Sequence, residues 1–397
     1  MVLPLGFHSD KPNQVCKLLR SLYGLKQASR QWNAKLTKAL QENGYKQSTA
    51  DPSLFTKASG NSFTALLIYV DDILVAGTSI THINELKHFL DKSFKIKDLG
   101  NINYFLGIEE VTTASGLNLS QRKYVLEILK ESGFLEAKPA QTPATTGLQL
   151  THSEGSLLEK PEIYRRLIGK LLYLTNTRPD ISHIVQQLSQ FVDKPTSTHL
   201  TAAHRVLRYL KGSPGKGIFY HSNSQFKLYG FSDSDWANCP ESRKSVTGYC
   251  IYLGNNLISW RTKKQATVSK SSSEAEYRAL ASTVCEVQWL HYLLADLGIR
   301  LGMPASLFCD NQAAIATGEN HVFHERTKHI EIDCHIVKQK VNERLIKLLP
   351  IPSQKQVADG FTKALPHPAF AIFQSKLGLH DLLSFHHFDL SKLQTRS

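Results

Sequence analysis

Apolar positions along this 397-residue chain recur with two different periods, and the change between them divides the sequence into blocks. Around residues 66–77, Leu66-Leu67-Ile68 and Ile73-Leu74-Val75 are short apolar runs on either side of Tyr69-Val70-Asp71-Asp72, which predicts two strands and a tight turn. In Ile163–Thr175, Ile181–Phe191 and His199–Leu210 the apolar residues repeat every three or four positions, which predicts three helices. Beyond residue 225 strand and helix patterns alternate. Phe226–Phe231, Val246–Leu253 and Leu257–Arg261 read as strands, the last two joined at Gly254-Asn255-Asn256. A long helix then opens at Ser271-Ser272-Ser273, followed by a strand at Ser306–Cys309, a helix from Asn311, a helix over His329–Leu345, a strand at Ile346–Ile351 and a helix over Gln356–Leu365. Polar, Pro- and Gly-containing breaks lie at 138–160 and 211–217, and Phe385–Ser397 reads as a loosely held tail. The expected fold class is therefore α/β and α+β multidomain, with blocks at 1–137, 138–224, 225–366 and 367–397.

Composition changes this picture little, except in charge. Lys and Arg exceed Asp and Glu by 13, which points to a polyanionic partner, most simply nucleic acid. No apolar run is long enough to span a bilayer, and the first seven residues lack the basic start and long apolar stretch of a signal peptide, so no membrane partner is expected. Cys16, Cys239, Cys250, Cys285, Cys309 and Cys334 contain no C-x-x-C pair; buried free thiols in a reducing compartment are expected in preference to metal or disulfide use.

Several motifs resemble copia-type retrotransposon Pol polyproteins over roughly residues 1–382. The segment Leu18-Leu19-Arg20-Ser21-Leu22-Tyr23-Gly24-Leu25-Lys26-Gln27-Ala28-Ser29-Arg30-Gln31-Trp32 is similar to the family's nucleotide- and template-contacting motif, with Ser29 where the family has Pro. Gly24 permits close backbone approach, and Lys26, Gln27 and Arg30 are the expected nucleic-acid contacts. Asp71 and Asp72 then read as metal-binding acids of a reverse-transcriptase palm; taken alone, the same four residues also suit a plain β-turn. Leu99-Gly100 and Tyr104–Ile108 resemble the segment that grips the primer. The family's first catalytic Asp stands upstream of the segment matching Met1–Phe7, and Asp10 lies in a loop that does not replace it. The resemblance therefore implies a partial palm whose DNA-polymerase activity is lost. Residues 164–181 and 202–212 resemble the thumb and connection, whose basic helix faces suit either a duplex backbone or solvent.

The third block resembles the family's ribonuclease H domain, which implies a five-stranded mixed sheet. The matching motifs are Ser232-Asp233-Ser234-Asp235-Trp236-Ala237, Ser273-Glu274-Ala275-Glu276-Tyr277-Arg278-Ala279, Cys309-Asp310-Asn311-Gln312, His324–Ile330 and Val357-Ala358-Asp359-Gly360-Phe361-Thr362-Lys363. The resemblance implies Asp233, Glu276, Asp310 and Asp359 as catalytic and metal-binding acids for two Mg²⁺ ions, with Mn²⁺ as a substitute. Four such acids gathered without cations repel, which raises some of their pKa values. Glu274 stands about 200° around the helix from Glu276 and reads as a helix-start acid. Trp236 is expected in the core, the alternative being a platform for substrate. No His precedes Asp359 in the loop after residue 350, and His324, His329 and His335 are expected to pack and not to bind zinc.

Arg243, Lys244, Arg261, Lys263 and Lys264 are candidate phosphate contacts, or a sheet edge blunted by cations. The implied partners are an RNA–DNA hybrid, other nucleic acid and other Pol or Gag products. The implied location is the cytoplasm, in a virus-like particle for an active element, or the nucleus. Two functions follow: an endonuclease cutting RNA in hybrids, leaving a 3′-hydroxyl and a 5′-phosphate, or a non-catalytic nucleic-acid-binding remnant.

Overall fold

The computed structural model describes residues 27–319 and 331–381, with the single positions Gly6, Val15, Lys17 and Leu25. The chain divides into two compact units, Met1–Gly100 with Tyr292–Ile299, and Asn101–His291 with Arg300–Ser397.

In the first unit, α1 (Ala28–Glu42) is followed by β1 (Lys46–Gln47), β2 (Leu54–Ser59), β3 (Ser62–Tyr69), β4 (Asp72–Gly77) and α2 (Ile80–Phe94). The four strands pair in chain order, all antiparallel. Alternation in β3 buries Thr64, Leu66 and Ile68, while both helices bury residues four apart, Leu36 with Leu40 and Leu86 with Leu90. These side chains, with Phe55 and Tyr45, make one core between helices and sheet. The expected hairpin is present: Tyr69 pairs with Asp72, leaving Val70-Asp71 as a two-residue loop. Val70 takes φ 52°, unusual for a β-branched residue. The Trp32 indole holds that turn by donating to the Val70 carbonyl at 3.1 Å.

The second unit carries two five-stranded sheets. Its elements are β5 (Tyr104–Phe105), β6 (Ile108–Thr113), β7 (Gly116–Ser120), α3 (Arg122–Glu131), α4 (Pro161–Leu174), α5 (Ser182–Ser189), α6 (Ser197–Lys211), β8 (Lys216–His221), β9 (Leu228–Ser234), β10 (Val246–Leu253), β11 (Asn256–Lys264), α7 (Ser272–Asp296, of which the residues from Tyr292 on fall in the first unit), β12 (Ala305–Cys309), α8 (Gln312–Glu319), α9 (Glu331–Asn342), β13 (Ile346–Pro350), α10 (Asp359–Thr362), α11 (His367–Lys376) and β14 (Leu379–Asp381). One sheet runs β11-β10-β9-β12-β13, antiparallel through the first three strands and parallel through the last three. This is the mixed sheet expected of a ribonuclease H fold. The other runs β14-β8-β7-β6-β5, all antiparallel.

Three expectations change. Residues 367–381, assigned to a tail, form α11 and β14; Phe370, Phe373 and Leu377 bury there, which fixes the segment. Lys216 and Gly217, read as the end of a polar break, begin a strand over Lys216–His221 between β7 and β14. The helix expected over 356–365 shrinks to the four residues of α10. The tail over 385–397 lies outside the described residues. No described helix is long and apolar enough to cross a membrane.

The connection at 138–160 has no helix or extended strand, yet it is anchored. Ala144 and Leu150 are buried, and the His152 ring lies 2.8 Å from Glu241 and 3.4 Å from Asp193. The hydrogen bond to Glu241, with help from Asp193, raises the His152 pKa above its ordinary 6.5. Stability from the charged ring is complete below that unfolded value and is lost as pH rises through the raised folded value. Between pH 6 and 8.5 the melting temperature of the wild type should therefore fall more than that of Glu241→Gln. Thermal melts followed by circular dichroism at the two pH values check this, and equal falls would exclude the latch.

Candidate active site

The mixed sheet brings distant acids to one end. Asp233 is the next-to-last residue of β9, opposite Gly248 of β10, which in turn lies opposite Thr262 of β11. Asp310 follows β12, the parallel neighbour of β9. Glu276 projects from the first turns of α7, and its Oε1 accepts from the Ser234 amide at 3.2 Å. Asp359 begins α10, which rests on the sheet where Gly248 leaves room for it.

Electrostatic interactions join the four acids into one group. The charge of Asp233 acts on Glu276, and those of Asp359 and Asp310 act on Asp233. Ligand atoms of Glu276, Cys309 and Asp310 lie within 4.8 Å of one another, the one such group of three among the described residues. Burial raises the pKa of Asp233 first, with the charges of Asp359 and Asp310 adding to it. Burial also raises Glu276, reinforced by the charge of Asp233. Asp359 is raised by burial and by Asp310, against the opposing pull of Lys363. The donors are hard carboxylate oxygens short of positive charge: those of Glu276 and Asp310 come within reach of a common point, while Asp233 and Asp359 lie outside that close group and act on it through their charge, a donor chemistry that fits Mg²⁺ or Mn²⁺. Cys309 is different: burial pushes its thiol up to about 12, so it faces Glu276 as a neutral S–H. Of the other described cysteines, Cys250 and Cys334 are buried, whereas Cys285 is exposed.

Neutral partners hold the acids in place. The Thr362 hydroxyl donates to Asp233, and Ser353 Oγ donates to Asp310 Oδ2 at 2.8 Å. Ser353 occupies the loop in which the sequence shows no His. Lys363 Nζ pairs with Asp359 Oδ1 at 2.9 Å. The motif reading used neither Thr362 nor Lys363. Their spacing from Asp359, three and four residues on, was the available signal, because it puts all three on one helix face.

Other expected residues fall as follows. Glu274 accepts from the Lys270 amide at 2.8 Å and pairs with Arg278, so it secures the start of α7 outside the acid group. Asp235 accepts from the Val246 amide, and burial lifts its pKa to about 6. Trp236 is a correction: it is 55% exposed, because its indole donates outward to the Ser269 carbonyl at 3.2 Å. Lys263 and Arg261 are exposed on β11, whose C-terminal end lies at the same end of the sheet as Asp233. Arg243 is exposed and Lys244 half-buried in the β9–β10 connection. Lys264 is engaged internally, with Gln190 at 2.8 Å and Cys239 at 3.0 Å.

In the first unit, Asp71 and Asp72 are exposed at the hairpin tip beside exposed Tyr69 and Val70. Gln27 and Arg30 are exposed at the start of α1; Gly24, Lys26, His324 and His329 lie outside the described residues. His335 is exposed on α9.

The family described as reverse transcriptase (RNA-dependent DNA polymerase) matches residues 1–146. The retrovirus-related Pol polyprotein from transposon RE1 of Arabidopsis thaliana is 44% identical over 96% of this chain and 26% of its own length. That from transposon TNT 1-94 of Nicotiana tabacum is 37% identical over 96% of this chain and 29% of its own. The chain thus spans about a quarter of the length of these curated relatives. A Saccharomyces cerevisiae protein named for transposon Ty5-1 is 32% identical over 72% of this chain and 94% of its own length. Among solved structures, LC11-RNase H1 from compost aligns with TM-score 0.28 at 17% identity, over 35% of this chain and 94% of its own.

The raised pKa of Glu276 carries a stability cost. An acid raised in the folded state favours folding below its unfolded pKa, and that benefit is lost as pH rises through the folded value. In the absence of divalent ions at pH 8, Glu276→Gln should therefore unfold at higher denaturant, by on the order of 1–3 kcal/mol. The amide keeps the acceptor for Ser234. Urea melts in chelator decide the matter, and a destabilised variant would contradict a cost of burying this acid.

Proposed function

We propose, for a chain that belongs to the Pol polyproteins of copia-type retrotransposons, a metal-dependent ribonuclease that cuts the RNA strand of RNA–DNA hybrids. One observation carries the reading: Asp233, Glu276, Asp310 and Asp359, up to 126 residues apart between first and last, meet as one interacting acid group at the end of a mixed sheet.

Bound Mg²⁺ ions supply the positive charge that activates water and stabilises the leaving oxygen of a phosphodiester. Asp233, Glu276, Asp310 and Asp359 would hold them. The rest falls to the chain's own side chains. Thr362 fixes the Asp233 carboxylate and Ser353 fixes that of Asp310, so neither need reorganise when a cation arrives. Exposed Lys263, Arg261 and Arg243 offer charge at or near the same end of the sheet for hybrid phosphates, with Lys244 beside them. Selectivity for RNA would come from contacts to 2′-hydroxyls. In the first unit, Asp71 and Asp72 would bind metal, with Gln27 and Arg30 near the nucleic acid. Other Pol or Gag products as partners, and a cytoplasmic, particle-bound or nuclear location, follow from the family and are proposed on that ground alone.

Two measurements test the reading. In a gel assay with end-labelled hybrid, the wild type should cut the RNA strand with Mg²⁺ and not in chelator, and Asp310→Asn should lose on the order of a hundredfold or more. Hybrid binding without metal-dependent cutting in the wild type would leave the non-catalytic remnant as the answer. In hybrid binding without Mg²⁺, Lys263→Ala should weaken affinity evenly across sequences and reduce the slope of log K against log salt by about 1. An unchanged slope would remove Lys263 from the interface.

A further inference from the structure

The acid group carries its own cation. Lys363 Nζ lies 2.9 Å from Asp359 Oδ1, and its charge also acts on Asp233 and Asp310. The placement is fixed by packing. Asp359 opens α10, and Lys363 caps its C-terminal end in extended backbone four residues on. The helix itself is held to the sheet, since Thr262 Oγ1 donates to the Phe361 carbonyl at 2.9 Å and the Thr362 hydroxyl donates to Asp233. One short turn thus delivers an acid, a hydroxyl and an ammonium to the same centre. The Lys363 side chain remains 51% exposed, so its stem has an open path to solvent.

Two cations of like sign cannot both lie at full strength against Asp359. We propose that Lys363 is the resident counter-ion of the acid group, and that a divalent cation binds by displacing its ammonium from Asp359. The proposal rests on the four-acid reading above. It makes Lys363 the residue that sets metal affinity: the ammonium holds the acids together in the metal-free protein and lowers their affinity for an incoming ion. Arg at this position would keep the charge, whereas Met would keep the length of the stem and lose the charge.

The test is calorimetric titration of the full chain with Mg²⁺ at fixed ionic strength and pH, without nucleic acid. The variants are Lys363→Met, Lys363→Arg and, as a control for the site, Asp310→Asn. Lys363→Met should bind Mg²⁺ about three- to tenfold more tightly than the wild type, Lys363→Arg about as the wild type, and Asp310→Asn more weakly than the wild type. The rise in melting temperature on adding Mg²⁺ should be larger for Lys363→Met than for the wild type. If Lys363→Met does not fold, Lys363→Gln takes its place. Wild-type binding that is weakened in Asp310→Asn but not tightened in Lys363→Met overturns this proposal and leaves the four-acid reading standing. Absence of Mg²⁺ binding in every protein overturns both.

Discussion

The acid group exists because α10 can lie almost against the sheet. A Cβ on Gly248 would come within 2.8 Å of side-chain atoms of Thr362 and Phe361, and one on Gly360 would sit 2.5 Å from the Phe373 ring. Two positions without side chains therefore let a four-residue helix fit between β10 and α11. From α5, the buried His183 hydrogen-bonds the Thr362 backbone, and burial pushes its pKa down to about 4, so it serves as a neutral partner. These contacts fix α10, and α10 in turn fixes Asp359, Thr362 and Lys363. Move the helix by a methyl group's width and Asp233 loses both its hydroxyl donor and its neighbouring acid.

That dependence ties the helical segment to the sheet. The buried core runs without a break from α3, α4, α5 and α6 through Cys250, Tyr252 and Leu257 to Phe361, Phe370 and Phe373. At its centre Arg178 is fully buried, bonded to Asp180 at 2.9 and 3.0 Å and to the Ser213 carbonyl at 2.9 Å. Asp180 also accepts from Gln374 of α11 at 3.2 Å and from Tyr209 of α6. A buried pair of this kind adds little net stability, but losing one partner typically costs about 3–5 kcal/mol. Here it locks α11, the helix whose Phe373 backs α10, to the end of α6. The acid group is thus seated on residues that sequence blocks had assigned elsewhere.

Much of the fold was legible because it rests on local pattern. The strand Val246–Leu253 reads from its apolar run, the turn after it from Gly254, and the start of α7 from Ser271, whose hydroxyl accepts from the Glu274 amide at 3.2 Å. The acids were legible through motifs. What was missed depends on partners far along the chain. Lys216–His221 is too short to announce itself, and becomes a strand because Leu117 pairs with Tyr220 and Leu379 with Ile218. Trp236 was misplaced because its size suggests a core, while the Ser269 carbonyl that holds its indole lies 33 residues away. Thr362 and Lys363 belong to a motif whose acid drew the attention.

The same geometry explains why a site can weaken the protein that carries it. Dehydrated acids placed side by side favour the protonated form, so the metal-free centre is stabilised by low pH and strained near neutrality. Hydrogen bonds from Thr362, Ser353 and the Ser234 amide offset part of that cost without supplying charge. Lys363 supplies charge next to Asp359, and that charge also reaches Asp233 and Asp310. Burial and the charges of Asp233 and Asp310 hold the Glu276 pKa up, against the hydrogen bond from the Ser234 amide. An incoming divalent ion therefore gains twice, by relieving the repulsion between Glu276 and Asp233 and by taking the place of the Lys363 ammonium at Asp359.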